Sequence, residues 1–365
     1  MPTRQAKSSW WMVAVQFILG GVGGFGVIAA IDALPGELTL PLLAGVLAVV
    51  LLMLWLQVLV HEVGHALAGL LAGRRFIAAG VGPLRLERGD GAWNLRWGGG
   101  VKGIGGFAAT FPPGPERRRS AALFVLGGPM ANLASAAVAG GVLVFADVSQ
   151  PLAVAALGST ALAGLLLGVV NLVPLQSHGW HSDGQNLREL LRDSPAWRVM
   201  QGQQLALAAA MAGIRPRDWP VASAGVPEGL PPQLRAPALS LAVSVALDRG
   251  EIDAARQAAR ALAGIWPGLP DGQRQAIAVV VATYAARAGD AELLAAWRPH
   301  CEGGLLDLSP YRLWLDAEAA AMAGNGGQAR RLVGEARAAL PRVHDRSSVV
   351  VLGEYLDALE GRVAR

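Results

Sequence analysis

Long apolar runs alternate with short charged stretches over the first half of the chain. Between the second and third runs, residues 83–88 and 93–97 alternate apolar and polar side chains, and a Gly-Asp-Gly turn separates them. Alternation of this kind is typical of a half-buried β-hairpin. The runs themselves are long enough, and poor enough in charge, to cross a bilayer as helices. They cover residues 10–31, 40–72, 121–145 and 152–173.

The pattern changes after about Arg192, where charged residues become frequent and continuous apolar runs stop. Residues 214–237 are rich in proline, which favours an irregular connection. From Ala238 onward, glycine-containing turns end helix-like segments at intervals of roughly 35–39 residues. This spacing predicts a tetratricopeptide-like array of helical hairpins, with an ordinary α-helical domain as the alternative. The predicted turns lie at 249–251, 288–290, 324–326 and 360–362.

These patterns predict a mainly α protein: a polytopic membrane helical core of about four spans with a small membrane-associated β-hairpin, and a C-terminal α-helical domain. The predicted boundaries are 1–192 for the membrane domain, 193–237 for a connecting segment and 238–365 for the soluble helical-repeat-like domain. Composition supports a lipid environment, since 53% of residues are hydrophobic, 16% are charged and the mean hydropathy is +0.40.

Charge and cysteine content narrow the functional classes. The net charge of +4 is too small to indicate a nucleic-acid partner. Cys301 is the only cysteine, so neither an internal disulfide nor a cysteine-based metal site is available.

Basic residues lie beside one end of every apolar run, whereas the loops 32–37 and 147–150 contain none. By the positive-inside rule, this predicts a multi-pass cell-membrane protein with both termini and the C-terminal domain in the cytoplasm. The first run is then a retained helix, because no clear signal-peptide cleavage site follows it. These basic residues are Arg4, Lys7, Arg74, Arg75, Arg117, Arg118, Arg119, Arg188 and Arg192.

The second apolar run carries the ionisable residues that lie deepest in any of the four: His61, Glu62 and His65. Ionisable groups at membrane depth are costly and indicate function. Two histidines four residues apart differ by only about 40° around a helix axis, so both imidazoles can bind one Zn²⁺. Glu62 can then act as general base toward zinc-activated water. A histidine pair lining a transport pathway, or one buried and neutral, remains the alternative.

Zinc requires a third protein ligand, and the segment after the fourth run supplies the nearest candidates along the chain. The end of the fourth run and the residues that follow it contain Asn171, His178, His181 and Asp183. The residues alone do not choose among the two histidines and the aspartate.

Three motifs together resemble the site-2 proteases, a family of intramembrane zinc metalloproteases. They are His-Glu-Val-Gly-His at 61–65, Gly-Gly-Pro-Met-Ala-Asn at 127–132, and Asn-Leu-Val-Pro at 171–174 followed by Asp183 and Gly184. The resemblance covers roughly residues 45–190. It implies Asp183 as the third zinc ligand and Asn171 as a residue that binds the substrate backbone.

The resemblance also implies that the glycine-rich segment 98–107 matches a membrane-embedded β element, on which an unwound substrate adds as a strand. Here the gap between the Asn-Leu-Val-Pro motif and Asp183 is longer than usual and contains His178 and His181. Those two histidines are therefore the rival ligands. For Asn132 and the glycines before it, we expect helix packing that supports the active-site helix.

The predicted function is an intramembrane zinc metalloprotease that hydrolyses peptide bonds of membrane-anchored proteins, with Glu62 as general base. The C-terminal helical domain is a possible site for a protein partner, because helical arrays present concave binding surfaces. Two alternatives remain open. One is a membrane zinc or cation transporter, although the motif occurs once and not in symmetric halves. The other is a non-proteolytic homologue that binds membrane helices.

Overall fold

The computed structural model describes residues 39–89, 92–97, 105–177, 180–219, 229–303, 307–343 and 345–364. This part of the chain is mainly helical, with twelve α-helices and a small antiparallel sheet. The predicted first span at 10–31, the glycine-rich residues 98–104 and His178 lie outside the described residues.

Three helices are long and apolar enough to cross a membrane: α1 (Leu40–Leu71), α2 (Arg118–Phe145) and α3 (Pro151–Leu172). They confirm the three apolar runs predicted in this part of the chain to within a few residues. Thr39 caps α1, because its hydroxyl accepts a hydrogen bond from the Leu42 N–H. Leucines along α1 remain exposed on the protein surface, as a lipid-facing helix requires.

Glycines allow these helices to approach one another closely beside the histidines. A Cβ atom on Gly64 of α1 would lie only 2.5 Å from the Gly127 carbonyl oxygen of α2. On α3, a Cβ on Gly164 would lie 2.7 Å from the Asn132 carbonyl oxygen. Larger residues at these positions would separate the backbones, so the glycines set the geometry in which side chains from α1 and α2 can meet.

A four-stranded antiparallel sheet connects α1 to α2, with the strand order β3-β2-β1-β4. The predicted hairpin is confirmed by β2 and β3, which pair Leu84 with Trp97 and Leu86 with Leu95. The sequence did not predict β1 and β4, because small residues and glycine in both strands hide the alternation. The strands are β1 (Arg75–Val81), β2 (Leu84–Gly89), β3 (Ala92–Trp97) and β4 (Gly106–Phe111).

After α3, a two-residue hairpin of β5 (Gln176–Ser177) and β6 (Trp180–His181) leads into α4 (Asp183–Arg192) and α5 (Pro195–Met211). Helix α5 lies within the segment that the sequence marks as a connection. Leu190 and Trp197 are almost fully buried and form a small core with Ala121 at the start of α2. The chain that follows α3 is therefore packed against the start of α2 at this point.

The described C-terminal part consists of helices with two buried cores. Gly250, Gly289 and Gly324 follow three of the helices with φ of 71–76°, as helix-ending glycines do. The helices are α6 (Pro232–Arg249), α7 (Ile252–Ile265), α8 (Asp271–Ala288), α9 (Ala291–Trp297), α10 (Ser309–Met322), α11 (Gly326–Ala339) and α12 (Arg346–Val363).

One sequence prediction needs correction in this domain. The predicted turn at 360–362 is wrong, because α12 continues through Gly361 to Val363. Burial of Leu356 and Leu359 on the same helix outweighs the weak helix propensity of that glycine. Helix α6, which contains Ala238, begins at Pro232, since a proline in the first turn is compatible with a helix.

Candidate metal centre

Helix α1 and the start of α4 bring three polar side chains to one point. The Nε2 atoms of His61 and His65 lie 3.1 Å apart. The Oδ2 atom of Asp183 lies 3.2 Å from His61 Nε2 and 3.4 Å from His65 Nε2. The three side chains are at most 15% exposed. The group is thus a compact, largely buried triangle of possible metal ligands.

Hydrogen bonds at the far side of each ring fix the tautomers. His61 Nδ1 lies 2.6 Å from Asn132 Oδ1. The amide orientation of Asn132 is set because its Nδ2 donates to the Gln57 carbonyl oxygen, at 2.9 Å, and that oxygen can only accept. His61 must therefore carry its proton on Nδ1 and donate it to Asn132.

A backbone carbonyl oxygen fixes the tautomer of His65 in the same way. His65 Nδ1 lies 2.8 Å from the Phe124 carbonyl oxygen, so it donates there. The Gly128 N–H lies 3.4 Å from this nitrogen, and the shorter contact with the carbonyl decides the tautomer. Both Nε2 atoms are consequently acceptors that face each other and a carboxylate oxygen.

Three converging acceptors repel one another unless a cation lies among them. A metal ion bound tetrahedrally at about 2.0–2.2 Å places its ligand atoms about 3.3–3.6 Å apart. Of the observed separations, 3.4 Å lies within this range, and 3.1 and 3.2 Å lie just below it. The residues present therefore fit a metal ion held by two imidazoles and one carboxylate.

Asp183 reaches the histidines because the start of α4 is fixed against the end of α3. The Ser182 hydroxyl accepts hydrogen bonds from the N–H groups of Leu175 and Gln185, at 2.9 and 3.2 Å. It donates to the Val173 carbonyl oxygen at 2.7 Å. A Cβ on Gly184 would lie 2.0 Å from the Leu172 carbonyl oxygen, so only glycine permits this approach.

Glu62 lies beside the first residue of β4. A Cβ atom on Gly106 would lie 2.8 Å from Glu62 Oε1, so the strand passes directly over this carboxylate. The carboxylate is close enough to interact electrostatically with His61, His65 and Asp183. A carboxylate and a strand edge thus adjoin the three possible metal ligands.

Gly128 on α2 completes the enclosure of the centre. A Cβ on this residue would lie 2.4 Å from His65 Nε2 and 2.8 Å from His61 Cε1. The glycine therefore keeps open the space in which the ligand atoms converge.

The structure separates the remaining predicted residues from this group. Asn171 donates its side-chain N–H to the Leu167 carbonyl oxygen of its own helix, at 3.0 Å, and does not point toward the ligands. His181 bonds Asn186, and burial lowers the pKa of its ring. It does not belong to the ligand group found among the described residues.

Sequence reasoning missed the residues that hold the ligands in place. Asn132 was expected to support the active-site helix, but its direct bond to His61 was not foreseen. Gln57, only 2% exposed, accepts hydrogen bonds from Asn132 and Ser135. A usable signal was present, because Gln57 lies four residues before His61 on the same helix face and is a polar residue in an apolar span.

Comparisons with protein-family models, with curated proteins and with solved structures found no match to the chain.

Proposed function

We propose that this protein is an intramembrane zinc metalloprotease of the site-2 protease type. The observation that carries the proposal is the convergence of three acceptor atoms, from His61, His65 and Asp183, beside the Glu62 carboxylate in a membrane helix. Zinc is the favoured metal because two imidazoles and a carboxylate, with room for a fourth ligand, are typical of catalytic zinc sites.

When bound, zinc would polarise the scissile carbonyl and lower the pKa of a water molecule. The side chains of this protein would perform the remaining steps. Glu62 accepts the proton of the attacking water and returns it to the leaving amine. Asn132 and the Phe124 carbonyl oxygen keep both imidazoles oriented during the reaction.

The free edge of β4 favours a peptide as the substrate. Of its two edges, one pairs with β1, and no strand in the described part of the chain pairs with the other. A substrate helix must lose its internal hydrogen bonds before a protease can cleave it, and an added strand replaces them. Because Gly106 lies over Glu62, a segment added to β4 would pass the catalytic base.

We also propose the membrane topology of the chain, a role for its C-terminal helices and a role for Asn171. Together with the predicted helix at 10–31, the three helices α1–α3 would form a four-span core with both termini in the cytoplasm. The C-terminal helices would form a tetratricopeptide-like array that binds a protein partner near the cytoplasmic membrane surface. Asn171 would bind the substrate backbone after its side chain leaves the Leu167 carbonyl oxygen.

The test is a comparison of membrane proteins in cells that contain either the wild-type protein or Glu62→Ala. We expect at least one membrane-anchored protein to accumulate uncleaved with Glu62→Ala and to be processed with the wild type. An identical pattern of membrane proteins in both cells would contradict the proposal.

A zinc transporter would behave differently in the same variants. Transport through His61, His65 and Asp183 does not need a general base, so Glu62→Gln would retain zinc flux into proteoliposomes. We expect neither the wild-type protein nor Glu62→Gln to give zinc flux above that of empty liposomes. The flux is measured with a fluorescent zinc indicator. Flux that disappears with Asp183→Ala and persists with Glu62→Gln would favour the transporter.

A further inference from the structure

A buried ion pair at the end of α1 takes no part in the metal centre. The side chains of Arg74 and Glu116 are only 2% and 4% exposed, and Arg74 Nη1 lies 2.7 Å from Glu116 Oε2. In the sequence, Arg74 counts among the basic residues that flank a membrane span, yet Glu116 neutralises it within the protein. Burial of an ion pair gives little net stability, so stability alone does not explain this pair.

The backbone of Arg74 is fixed by the end of α1. Gly73, at φ of 80°, donates its N–H to the Leu70 carbonyl oxygen, and the Arg74 N–H bonds the Gly69 carbonyl oxygen at 2.9 Å. This pair of bonds is the Schellman ending of a helix. Arg74 therefore projects from a rigid point on the same helix that carries His61 and His65.

The guanidinium of Arg74 reaches from this point to β4. Its Nε donates to the Thr110 hydroxyl at 2.8 Å, and its Nη2 donates to the Thr110 carbonyl oxygen at 3.3 Å. Its Cζ lies 4.2 Å from the centre of the Phe124 ring, on the residue whose carbonyl oxygen binds His65. Gly69 leaves room for these groups, since a Cβ there would lie 3.1 Å from the Phe124 ring.

The bonds to Thr110 lie where the register of β4 changes. Thr110 pairs with Phe76, but Ala109 pairs with Ala78, so Ile77 forms an irregularity in β1. Register is weakly specified in strands that contain glycine and small side chains, as β1 and β4 do, and a slip of one residue reverses every side chain of the strand.

The register matters at the other end of β4. Thr110 and Gly106 are four residues apart and lie on the same face of the strand. A slip that brought Phe107 over Glu62 would collide with the carboxylate, because even a Cβ at that place comes within 2.8 Å of Oε1.

We infer that Arg74, Glu116 and Thr110 form a register lock, which fixes β4 so that Gly106 lies over Glu62 and the free strand edge is correctly placed. Glu116 holds the guanidinium, and the guanidinium holds Thr110 by its hydroxyl and its carbonyl oxygen. The three are positioning residues. The consequence for substrate binding rests on the proposed function, but the register itself does not.

Disulfide trapping tests the register without any activity. Ala78→Cys and Ala109→Cys are introduced into a Cys301→Ala background, and oxidation of the pair is timed in detergent. We expect Thr110→Ser to cross-link as fast as the parent, because it keeps the hydroxyl. Thr110→Val should cross-link about tenfold more slowly, because it leaves Arg74 Nε without its acceptor. The double variant Arg74→Gln/Glu116→Gln should do the same without leaving a lone buried charge.

Arg75→Gln is the matched control, since Arg75 is the next residue, carries the same charge and is exposed. It should cross-link like the parent. Equal rates for Thr110→Val, Thr110→Ser and the double variant would overturn the lock, as would a failure of the parent itself to cross-link.

A kinetic experiment tests the consequence for substrate. With zinc content matched, Thr110→Val should raise KM about tenfold and change kcat less, because the strand edge and not the ligand set is displaced. Unchanged KM in a parent that cleaves in a Glu62-dependent manner would show that the lock does not serve substrate binding. Absence of Glu62-dependent cleavage in the parent would instead reject the proposed function and leave the trapping result standing.

Discussion

At the scale of single residues, the centre depends on the groups that fix the imidazole tautomers as much as on the ligands. Asn132 is fully buried and makes three hydrogen bonds, to His61 and to the backbone and side chain of Gln57. A polar amide in an apolar helix is costly unless every bond is satisfied, and here each one acts on the helix that carries the histidines.

Asn132→Ala should therefore weaken zinc binding about 10–100-fold, the usual cost of losing a group that orients a metal ligand. Without the amide oxygen, His61 loses the acceptor that keeps its proton on Nδ1. The measurement is a competition titration with a zinc-binding dye on purified protein.

Ser135→Ala is the control for this prediction, since Ser135 bonds Gln57 but not a histidine. Its zinc affinity should equal that of the wild type. Equal weakening in both variants would mean that general helix packing, and not the bond to His61, explains the loss.

The ligands themselves were predictable at this scale because spacing and depth are visible in the sequence. His61 and His65 follow from the four-residue interval on a helix, and Asp183 followed only from the family resemblance. The supporting groups were harder to predict, because Arg74, Thr110 and Glu116 come together only when α1, β4 and the start of α2 are packed.

At the scale of elements, α4 carries Asp183 on its first residue and is held by its N-cap. Ser182 caps α4 and also binds the end of α3, whereas Ser194 caps α5 through the Trp197 N–H. The two serines thus perform the same local task, but only one of them connects to the centre.

We expect Ser182→Ala and Ser194→Ala each to lower stability by about 1 kcal/mol, the usual loss for an N-cap. Only Ser182→Ala should also weaken zinc binding, because it frees the start of α4 from Val173 and Leu175. Thermal unfolding and zinc affinity are measured on the same samples. Equal zinc affinity in the two variants would contradict the role given to Ser182.

The elements that the sequence predicted well are those whose signal is local. The lengths of the apolar runs predicted α1, α2 and α3 to within a few residues, and alternation of apolar and polar residues predicted β2 and β3. Strand β4 has no such signal, since its Gly-Phe-Ala-Ala-Thr-Phe sequence shows little alternation. This segment is a strand because β1 pairs with it.

At the scale of the whole molecule, the C-terminal helices form cores of their own. Cys301, the only cysteine of the chain, is fully buried in one of them, and burial raises the pKa of its thiol to about 11. Since the thiolate is the reactive form, its reactivity reports whether this core is intact.

Cys301 in the folded protein should react with a maleimide at pH 8 about a hundredfold more slowly than in denaturant, where the thiol titrates near its ordinary pKa. The measurement is the labelling rate followed by mass spectrometry. A zinc chelator should leave the slow rate unchanged, because His61, His65 and Asp183 lie on α1 and α4, outside the core that contains Cys301. Rapid labelling of the native protein would contradict the burial of this residue.

The repeat pattern of this domain was only partly readable. Three helix-ending glycines were recognisable in the sequence because glycine accepts a positive φ without strain. In the structure each of the three adopts a positive φ. Gly361 also lies between charged residues, as Gly250 does, but it is inside α12. Only packing therefore distinguishes it from a turn.

The central claim concerns chemistry at Glu62 beside the metal ligands. The most direct measurement is cleavage of a membrane-anchored substrate by purified, reconstituted wild-type protein and Glu62→Gln, with zinc content determined for both. The glutamine keeps the shape of the side chain but cannot accept the proton. We predict equal zinc content and a loss of cleavage of about a hundredfold or more. Zinc-loaded Glu62→Gln that cleaves at the wild-type rate would contradict the account.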